Sequence, residues 1–299
     1  MAFNSHQMRS LACTVREGSI SGAARRLGVS QSAVSQHIAK LEAAIGAPLL
    51  IRARDGVQLT QAGHEIFTLA DELTALEQQI EERLRGHAGL DRGHLTIIAN
   101  APQPALGLIS RYTKRFPKIS VDFALMDWAA AMERVAAKQV DIAVITDPTP
   151  QKDLYIRPIK RARYVLYTLP DHVLARQDAI SLSDICQETL LLPEEGSLTR
   201  RTVQKALARA KLTPSRIVTM TTFPVMKEGI LQRIGVGIFL AESSASKGDL
   251  SETPIAELSQ EFTTSIVIPK YKVGLRITQS FLELAGDPAE QPYSALHLA

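Results

Sequence analysis

GVSQSAVSQHIAKL, residues 28–41, joins the spacing of an amphipathic helix to an unusual polar face. Val34, Ile38 and Leu41 recur at intervals of four and three residues, so they share one face that packs on a core. The opposite face carries serine, glutamine and one lysine, and no acid. Short hydrogen-bonding side chains can reach base edges in the major groove of DNA, where phosphates repel acidic ones. The pattern predicts a DNA-reading helix; a merely solvated surface helix is the alternative.

The segments before this helix complete a helix-turn-helix pattern. Met8, Leu11 and Val15 belong to a helical apolar stripe that ends at EGS, residues 17–19. A second short helix over SGAARRLG stops at a glycine, and Ser30 can cap the third helix. Two short helices joined by a tight glycine-containing turn are typical of DNA-binding helix-turn-helix modules.

The basic residues are concentrated near the N-terminus. Residues 1–60 hold seven Lys and Arg against three Asp and Glu, a net charge of +4, whereas the remainder holds 27 against 28. This asymmetry is expected when one module meets a polyanion and the other does not. Within the basic module, Asp55-Gly56 lies between two strand-like pieces of IRARDGVQLT, which predicts a hairpin that serves as a wing.

A long helix with an apolar seam follows the wing. Thr60 can cap it, and charged residues such as those of EQQIEERLR flank the seam. Such a seam favours a partner helix, although packing of the helix on its own chain is the alternative. Gly86, Gly89 and Gly93 then mark a linker. The apolar positions, spaced by three or four residues, are Ile66, Leu69, Leu73, Leu76, Ile80 and Leu84.

From His94 onward, strand-like and helix-like segments alternate. HLTIIA, SVDFALM and VDIAVIT have the pattern of strands, with helical patterns over PALGLISRYTKRF and WAAAMERVAAKQ between them. The alternation resumes with ARYVLYTL, ETLLLP and LTRRTVQKALARAKL, and ends with the late strand TSIVIPK. Before that strand, TTFP precedes PVMKEGILQRIGVGIFLA, which we expect to contain the final long helix. Repeated βαβ units predict a mostly parallel sheet covered by helices.

The segment from Arg16 to Gly63, REGSISGAARRLGVSQSAVSQHIAKLEAAIGAPLLIRARDGVQLTQAG, resembles the DNA-binding module of the LysR-type transcriptional regulators. The chain departs from the usual family pattern at Ser32, where proline is frequent, and at Ile51, where a large aromatic is frequent. By matching motif, the resemblance places Leu69, Leu73, Leu76 and Ile80 in a dimer seam. It places the following residues on DNA, the last two of them in the wing: Gln31, Ser32, Ala33, Ser35, Gln36, Lys40, Arg52 and Arg54.

The resemblance extends over essentially the whole chain and implies its domain organisation. Residues 1–60 are expected to form an N-terminal all-α winged helix-turn-helix, and residues 61–92 a linker and dimerisation helix with a hinge. Residues 93–299 are expected to form an α/β effector domain resembling type 2 periplasmic binding proteins. Its first lobe would span about 93–160 and 266–285, and its second lobe about 161–265. The implied partners are double-stranded DNA, further copies of the chain in a dimer or tetramer, and RNA polymerase.

Such folds bind small molecules where strand ends meet helix N-termini, which favour negative groups. Four places qualify here: ANAPQP, MDW, GSLTR and TTFP. The ligand is predicted to be an organic acid or an amino-acid-like metabolite, with Asp147 or Glu194 available for an amino group. Each side chain also has an ordinary role open to it in capping, packing or solvation. The candidate effector residues are Asn100, Ala101, Gln103, Trp128, Thr199, Thr222 and Phe223.

Other functional classes are less well supported by the sequence. GHEIFT has Thr68 where a zinc-binding HExxH motif needs its second histidine, and GVGIFL has Leu240 where a dinucleotide loop needs its third glycine. We therefore expect no catalytic residues, no metal and no cofactor. A free-standing solute-binding protein is the remaining alternative, but it would have a secretory signal and no winged helix. No apolar run reaches transmembrane length, so we expect a cytoplasmic protein with Cys13 and Cys186 buried as free thiols.

Overall fold

The computed structural model describes residues 4–53, 56–84, 93–245 and 248–286. Three helices open the chain: α1 (Ser5–Glu17), α2 (Ile20–Leu27) and α3 (Gln31–Ile45). Each begins at a side-chain cap, supplied by Asn4, Ser19 and Ser30. Each ends at a glycine with positive φ, a conformation that has no steric cost for glycine. The expected three-helix arrangement is thus built from local capping signals.

A two-stranded hairpin follows, with β1 (Leu50–Ala53) antiparallel to β2 (Gly56–Leu59). The Val57 N–H donates to the Gly18 carbonyl in the turn between α1 and α2, at 3.0 Å. A Cβ built on Gly56 would lie 2.3 Å from that same carbonyl oxygen, so only glycine fits there. The wing is therefore fixed to the helix-turn-helix body.

The linker helix α4 (Gln61–Leu84) starts where Thr60 Oγ1 accepts a hydrogen bond from the Gly63 N–H, at 2.9 Å. Phe67 and Ala70 bury one face of α4 in the DNA-binding module. Leu73, which was expected in the seam, packs partly buried against this same module, and its place in the seam stays a prediction. The expected linker glycines Gly86 and Gly89 lie outside the described residues. The exposed apolar row comprises Leu69, Leu76, Ile80 and Leu84.

Lobe I is a five-stranded sheet with the order β4-β3-β5-β12-β6 and helices packed on both faces. β3 is parallel to β4 and β5, whereas β12 is antiparallel to β5 and β6. Its strands are β3 (Gly93–Ala99), β4 (Ile119–Leu125), β5 (Ile142–Thr146), β6 (Leu154–Ala162) and β12 (Phe262–Pro269). Its helices are α5 (Ala105–Arg115), α6 (Trp128–Ala136) and α10 (Arg276–Leu284).

Lobe II is a second five-stranded sheet, with the order β11-β7-β10-β8-β9. β8 is parallel to β9 and β10, and β7 is antiparallel to β10 and β11. Its strands are β7 (Tyr164–Thr168), β8 (Thr189–Pro193), β9 (Arg216–Met220), β10 (Val236–Leu240) and β11 (Ser251–Pro254). Its helices are α7 (Leu182–Ile185), α8 (Leu198–Ala210) and α9 (Phe223–Leu231).

Two features of the lobes differ from expectation. The crossover strands β6 and β12 are paired with each other from the Ala162–Phe262 pair to the Leu154–Pro269 pair. Lobe I therefore includes a few residues beyond the approximate boundaries expected at 160 and 266. PVMKEGILQRIGVGIFLA, which was expected to contain a long helix, holds most of the nine-residue α9 and then β10. Helix α9 stops because Arg233 takes a positive φ, and Gly235 approaches the Thr189 carbonyl too closely for any Cβ. Within the described ranges, no helix combines the length and apolarity that crossing a bilayer requires.

Candidate functional site

The outward face of α3 carries polar side chains that are exposed. Gln31, Ser35, Gln36 and Lys40 are open to solvent, and none of them has a side-chain hydrogen bond or ion pair with the part of the chain that the structure describes. Ser32 is also exposed and shares a 2.8 Å hydrogen bond with Ser30. The predicted groove-facing side chains are thus free to bind a partner. Ala33 is only half-buried and adds a small apolar surface among them.

The inner face of α3 explains why this polar face is held rigidly. Val34, Ile38 and Leu41 are buried in the cores that α3 shares with α1, α2 and α4. At the end of the helix, Glu42 Oε1 accepts hydrogen bonds from the backbone N–H groups of Leu49 and Leu50, at 2.8 and 3.3 Å. Since those residues lead into the wing, the carboxylate of Glu42 ties the wing to the recognition helix.

Of the two wing arginines, Arg52 has a described backbone position. Arg52 lies in β1, paired with Val57 across the hairpin. Arg54 lies outside the described residues. Their assignment to DNA therefore stays a prediction from the sequence.

A narrow cavity separates the two lobes. It measures about 20 Å³, the space of a single water molecule, so the lobes are closed around it. Gln103 is the one expected effector residue outside the lining, because its side chain lies over the first turn of α5, near Gly107. Six of the seven expected effector residues line the cavity: Asn100, Ala101, Trp128, Thr199, Thr222 and Phe223.

Several polar side chains of the cavity are hydrogen-bonded within the protein. Asn100 Oδ1 accepts from the Thr146 N–H at 2.9 Å, and Trp128 Nε1 donates to the Thr146 carbonyl at 3.0 Å. The Thr199 hydroxyl donates to the Tyr164 oxygen at 3.3 Å. Burial raises the pKa of Tyr164 to about 12, so the ring stays neutral and can also donate. To form hydrogen bonds with these side chains, a ligand would have to displace the hydrogen bonds that they make within the protein.

One charged side chain, Asp127, is found among the described lining residues. Its Oδ1 caps α6 by accepting from the N–H groups of Ala129 and Ala130, at 2.8 and 3.0 Å. The sequence singled out the surrounding MDW segment but not this carboxylate. Across the cavity, Thr222 precedes α9 without making a side-chain cap, so the first N–H groups of α9 lack that partner.

The two carboxylates expected near the ligand lie elsewhere. Asp147 Oδ1 accepts from the Thr263 N–H at 2.7 Å and so stabilises the crossover between lobes. Glu194 is exposed and is not part of the cavity lining. Neither side chain is placed to hold an amino group in the cavity.

Two contacts join the lobes at the cavity edge. The guanidinium of Arg201 on α8 stacks over the Trp128 ring, 4.4 Å from its centroid. Beside it, Gly196 lies against Asp127, since a Cβ built on Gly196 would be 2.5 Å from Asp127 Oδ1. Closure therefore depends on the absence of a side chain at Gly196.

A buried ionic cluster joins the DNA-binding module, the linker helix and lobe I. Lys272 Nζ lies 3.0 Å from Asp141 Oδ1 and 3.4 Å from Asp71 Oδ2, and both Lys272 and Asp71 are fully buried. Arg16 of α1 pairs with Asp71, which also accepts a hydrogen bond from the Tyr271 hydroxyl. Burial raises the pKa of Asp141, but the charges of Lys272 and Arg16 outweigh it and hold that pKa below its usual range.

The two cysteine thiols lie in surroundings that disfavour their ionisation. Burial, reinforced by Glu17, raises the pKa of the Cys13 thiol to about 11, which disfavours the reactive thiolate. Cys186 is buried as a free thiol, and burial raises its pKa as well. Among residues 4–53, 56–84, 93–245 and 248–286, no group of three His, Cys, Asp or Glu side chains is arranged to hold a metal ion.

Comparison with known proteins gives matches along the chain. Residues 5–64 match the model of the bacterial regulatory helix-turn-helix proteins of the lysR family, and residues 88–288 match that of the LysR substrate binding domain. The HTH-type transcriptional activator CmpR of Synechocystis sp. is 26% identical over 258 residues, covering 86% of this chain and 84% of that protein.

Solved structures share the fold at lower identity. A full-length OxyR variant from Pseudomonas aeruginosa superimposes with a TM-score of 0.75 at 18% identity, covering 95% of this chain and 94% of that chain. The regulatory domain of CcmR from Synechocystis PCC6803, in complex with 2-PG, superimposes with a TM-score of 0.54 at 20% identity. That match covers 65% of this chain and 96% of that domain.

Proposed function

Because this chain belongs to the LysR family of transcriptional regulators, we propose that it reads DNA with the exposed face of α3 and contacts phosphates through its wing. The chain is a LysR-type regulator with a helix-turn-helix DNA-binding domain and an effector-binding domain. The observation that carries the proposal is the free polar face of α3, on which Gln36 and Lys40 are exposed and unpaired among the described residues. Glutamine can bind adenine through two hydrogen bonds, and lysine can reach guanine or phosphate.

The proposed DNA-binding unit is a dimer joined through α4. Leu69, Leu76, Ile80 and Leu84 are each at least half exposed and follow one face of that helix. A second copy of α4 would bury the row, and two linked modules would then read an interrupted palindrome. Two such dimers are proposed to form a tetramer.

The proposed effector is a small amino-acid-like molecule held between the lobes. The carboxylate of Asp127 suits an ammonium group, and the N-terminus of α9 suits a carboxylate. The 2-PG bound by the CcmR regulatory domain supports the binding of a small ligand in this fold, and organic acids remain the second class to test. The cavity of about 20 Å³ implies that the lobes separate to admit any such ligand.

The remaining roles follow from this assignment. We infer that the protein works by binding rather than by catalysis, in the cytoplasm where its operator lies. RNA polymerase is the proposed further partner at the promoter. The resemblance of the effector domain to solute-binding proteins concerns the fold, while the helix-turn-helix module separates this chain from them.

The Gln36→Ala variant tests DNA recognition. The operator is first selected from random DNA with the wild-type protein, and the affinities of single-base variants are then measured. Loss of the glutamine contact is expected to cost about 1 to 3 kcal/mol and to relax base preference at one position in each half-site. Gln204→Ala, an exposed helical glutamine on α8, is the matched control. Unchanged base preference in Gln36→Ala would show that α3 is not the reading helix.

The Asp127→Asn variant tests the effector. A thermal-shift screen of the full chain against amino acids and organic acids identifies a ligand, whose affinity is then measured by calorimetry. Asparagine keeps the oxygen that caps α6 but loses the charge, so an ammonium-bearing ligand is expected to bind about 10- to 100-fold more weakly. If a confirmed amino-acid ligand bound the Asp127→Asn variant as tightly as the wild type, Asp127 would not be part of the ligand site. A confirmed organic acid without an ammonium group would replace the amino-acid class.

A further inference from the structure

Helix α6 connects the inter-lobe cavity with the linker helix. It begins at Trp128, in the cavity lining, and ends at Ala136, two residues before Lys138. Nine residues at 1.5 Å each make it about 13 Å long. Each end makes a contact with a different part of the molecule, one with lobe II and one with α4.

At the cavity end, α6 contacts lobe II at two points, through Asp127 and Trp128. Asp127 is fixed by its two cap hydrogen bonds, so it cannot swing away from Gly196 without uncapping the helix. Trp128 is covered by the Arg201 guanidinium at 4.4 Å. Separation of the lobes must break both contacts.

At the other end, Lys138 holds the linker helix. Its Nζ lies 2.7 Å from Glu72 Oε1 on α4 and 5.3 Å from the centroid of the Tyr271 ring. Lys138 is 9% exposed and takes a positive φ, so its backbone is in a conformation that non-glycine residues seldom adopt. This geometry directs one buried ammonium at one carboxylate of α4.

The inner face of α6 is packed against the sheet of lobe I. Ala131, Met132 and Val135 are buried against strand residues that include Ala143 and Val267. A packed helix transmits a displacement of one end to the other, because such interfaces shift between discrete arrangements instead of deforming gradually. The neighbouring cluster of Asp71, Lys272 and Asp141 adds buried charges that are stable only when fully paired.

We propose that α6 couples lobe closure to the linker helix, with Gly196 and Arg201 setting its cavity end and the Lys138–Glu72 ion pair transferring its position to α4. The coupling rests on the proposed function in one respect, namely that an effector binds between the lobes, which we take to change their closure. Lys138 and Glu72 are positioning residues, since neither lines the cavity or the face of α3.

The test replaces the effector by a substitution that opens the lobes. Gly196→Ala introduces a Cβ that would sit 2.5 Å from Asp127 Oδ1, so it is expected to force the lobes apart. Amide hydrogen exchange is measured on the full chain, in peptides from α4 and from residues 193–201. Gly196→Ala is expected to speed exchange in both regions, by about fivefold or more in α4. Gly107→Ala is the matched control, because its Cβ meets only the flexible end of Gln103, at 3.3 Å.

The Lys138→Met variant then separates coupling from general loosening. On its own it is expected to speed exchange in α4, because the Glu72 contact is lost, while residues 193–201 stay protected. Adding Gly196→Ala to it should open the cavity edge but give no further change in α4. Lys138→Arg, which keeps the charge, should restore the response of α4 to Gly196→Ala.

Two results would overturn the proposal. In the first, Gly196→Ala opens residues 193–201 but leaves α4 unchanged. In the second, it speeds exchange in α4 equally with and without Lys138. If Gly196→Ala does not fold, Arg201→Ala removes the stacking contact instead, and the same outcomes apply. These measurements need neither DNA nor effector, so failure of the proposed function in binding assays is a separate result.

Discussion

The side chains assigned to DNA and those assigned to the effector differ in what they bind within the molecule. Gln36 and Lys40 on α3 are exposed and make no side-chain bond to the described part of the chain. Asn100, Trp128 and Thr199 in the cavity are hydrogen-bonded to neighbouring residues and are largely shielded from water. The side chains on α3 are free to form hydrogen bonds with another molecule, whereas those in the cavity already form hydrogen bonds within the protein.

This difference predicts separate consequences for mutation. Removing an exposed, unpaired side chain should weaken association and leave the free energy of unfolding unchanged, because the folded chain loses no contact. Removing a cavity side chain should destabilise the fold even without ligand, because its partner is left buried and unpaired. The same internal bonds explain why an effector must compete with the protein's own closed state.

The largest expected effect lies in the exposed row of α4. Leu76 and Ile80 are 54% and 50% exposed, so each has roughly half its surface left to bury in a dimer, worth about 1 kcal/mol. Changing both to lysine removes four such side chains from a dimer and adds repulsion, so the dimer should weaken by at least about a thousandfold. Sedimentation equilibrium measures this. Gln78→Lys, on the opposite side of α4, is the control, and an unchanged oligomer in the double variant would move the dimer contact elsewhere.

A smaller effect is expected from Asn100→Ala. It removes the acceptor of the Thr146 N–H, and Thr146 is fully buried at the end of β5. Leaving that N–H unpaired should lower the free energy of unfolding by about 1 to 3 kcal/mol in urea denaturation without ligand. Asn100→Asp keeps an acceptor oxygen and should retain most of the stability. If Asn100→Ala were as stable as the wild type, the contrast between cavity and recognition face would not hold.

The smallest effect is expected from Lys40→Gln. The exposed ammonium on α3 should neutralise about one phosphate, so its removal should reduce the slope of log affinity against log salt by about 0.9. The free energy of unfolding should not change. Fluorescence titration with operator DNA at several salt concentrations measures the slope, with Lys205→Gln on α8 as the control. An unchanged slope would place Lys40 away from the DNA backbone.

The elements that the sequence predicted best are those with local signals. Ser30 caps the start of α3 and Gly28 ends α2 with a positive φ, and both signals depend on a few neighbouring residues. The strand β6 had no such signal, because Arg157, Pro158 and Lys160 interrupt its apolar pattern. It tolerates them as an edge strand, with a register shift opposite Pro158.

Contacts between residues far apart in the chain could not be predicted from the sequence pattern. Leu73 fits the seam by spacing, and the spacing gave no sign that it also packs partly buried against the DNA-binding module. The contacts of Gly196 with Asp127 and of Lys138 with Glu72 join residues far apart in the chain, and no periodicity encodes such pairs. The sequence did predict the segments that supply most of the cavity lining. The reason is that strand ends and helix N-termini meet at the same edge of an α/β sheet.

The fixed wing has a consequence for the DNA itself. Gly56 and Val57 hold the hairpin on the Gly18 carbonyl, and Glu42 holds its base, so the distance between wing and recognition helix is set by the protein. Because the wing and the recognition helix are held at a fixed distance, they cannot adjust to the different groove widths of different DNA sequences. The duplex must adapt instead, at an elastic cost that depends on its base steps. Operators should therefore be distinguished partly by how easily they deform, at base pairs that no side chain touches.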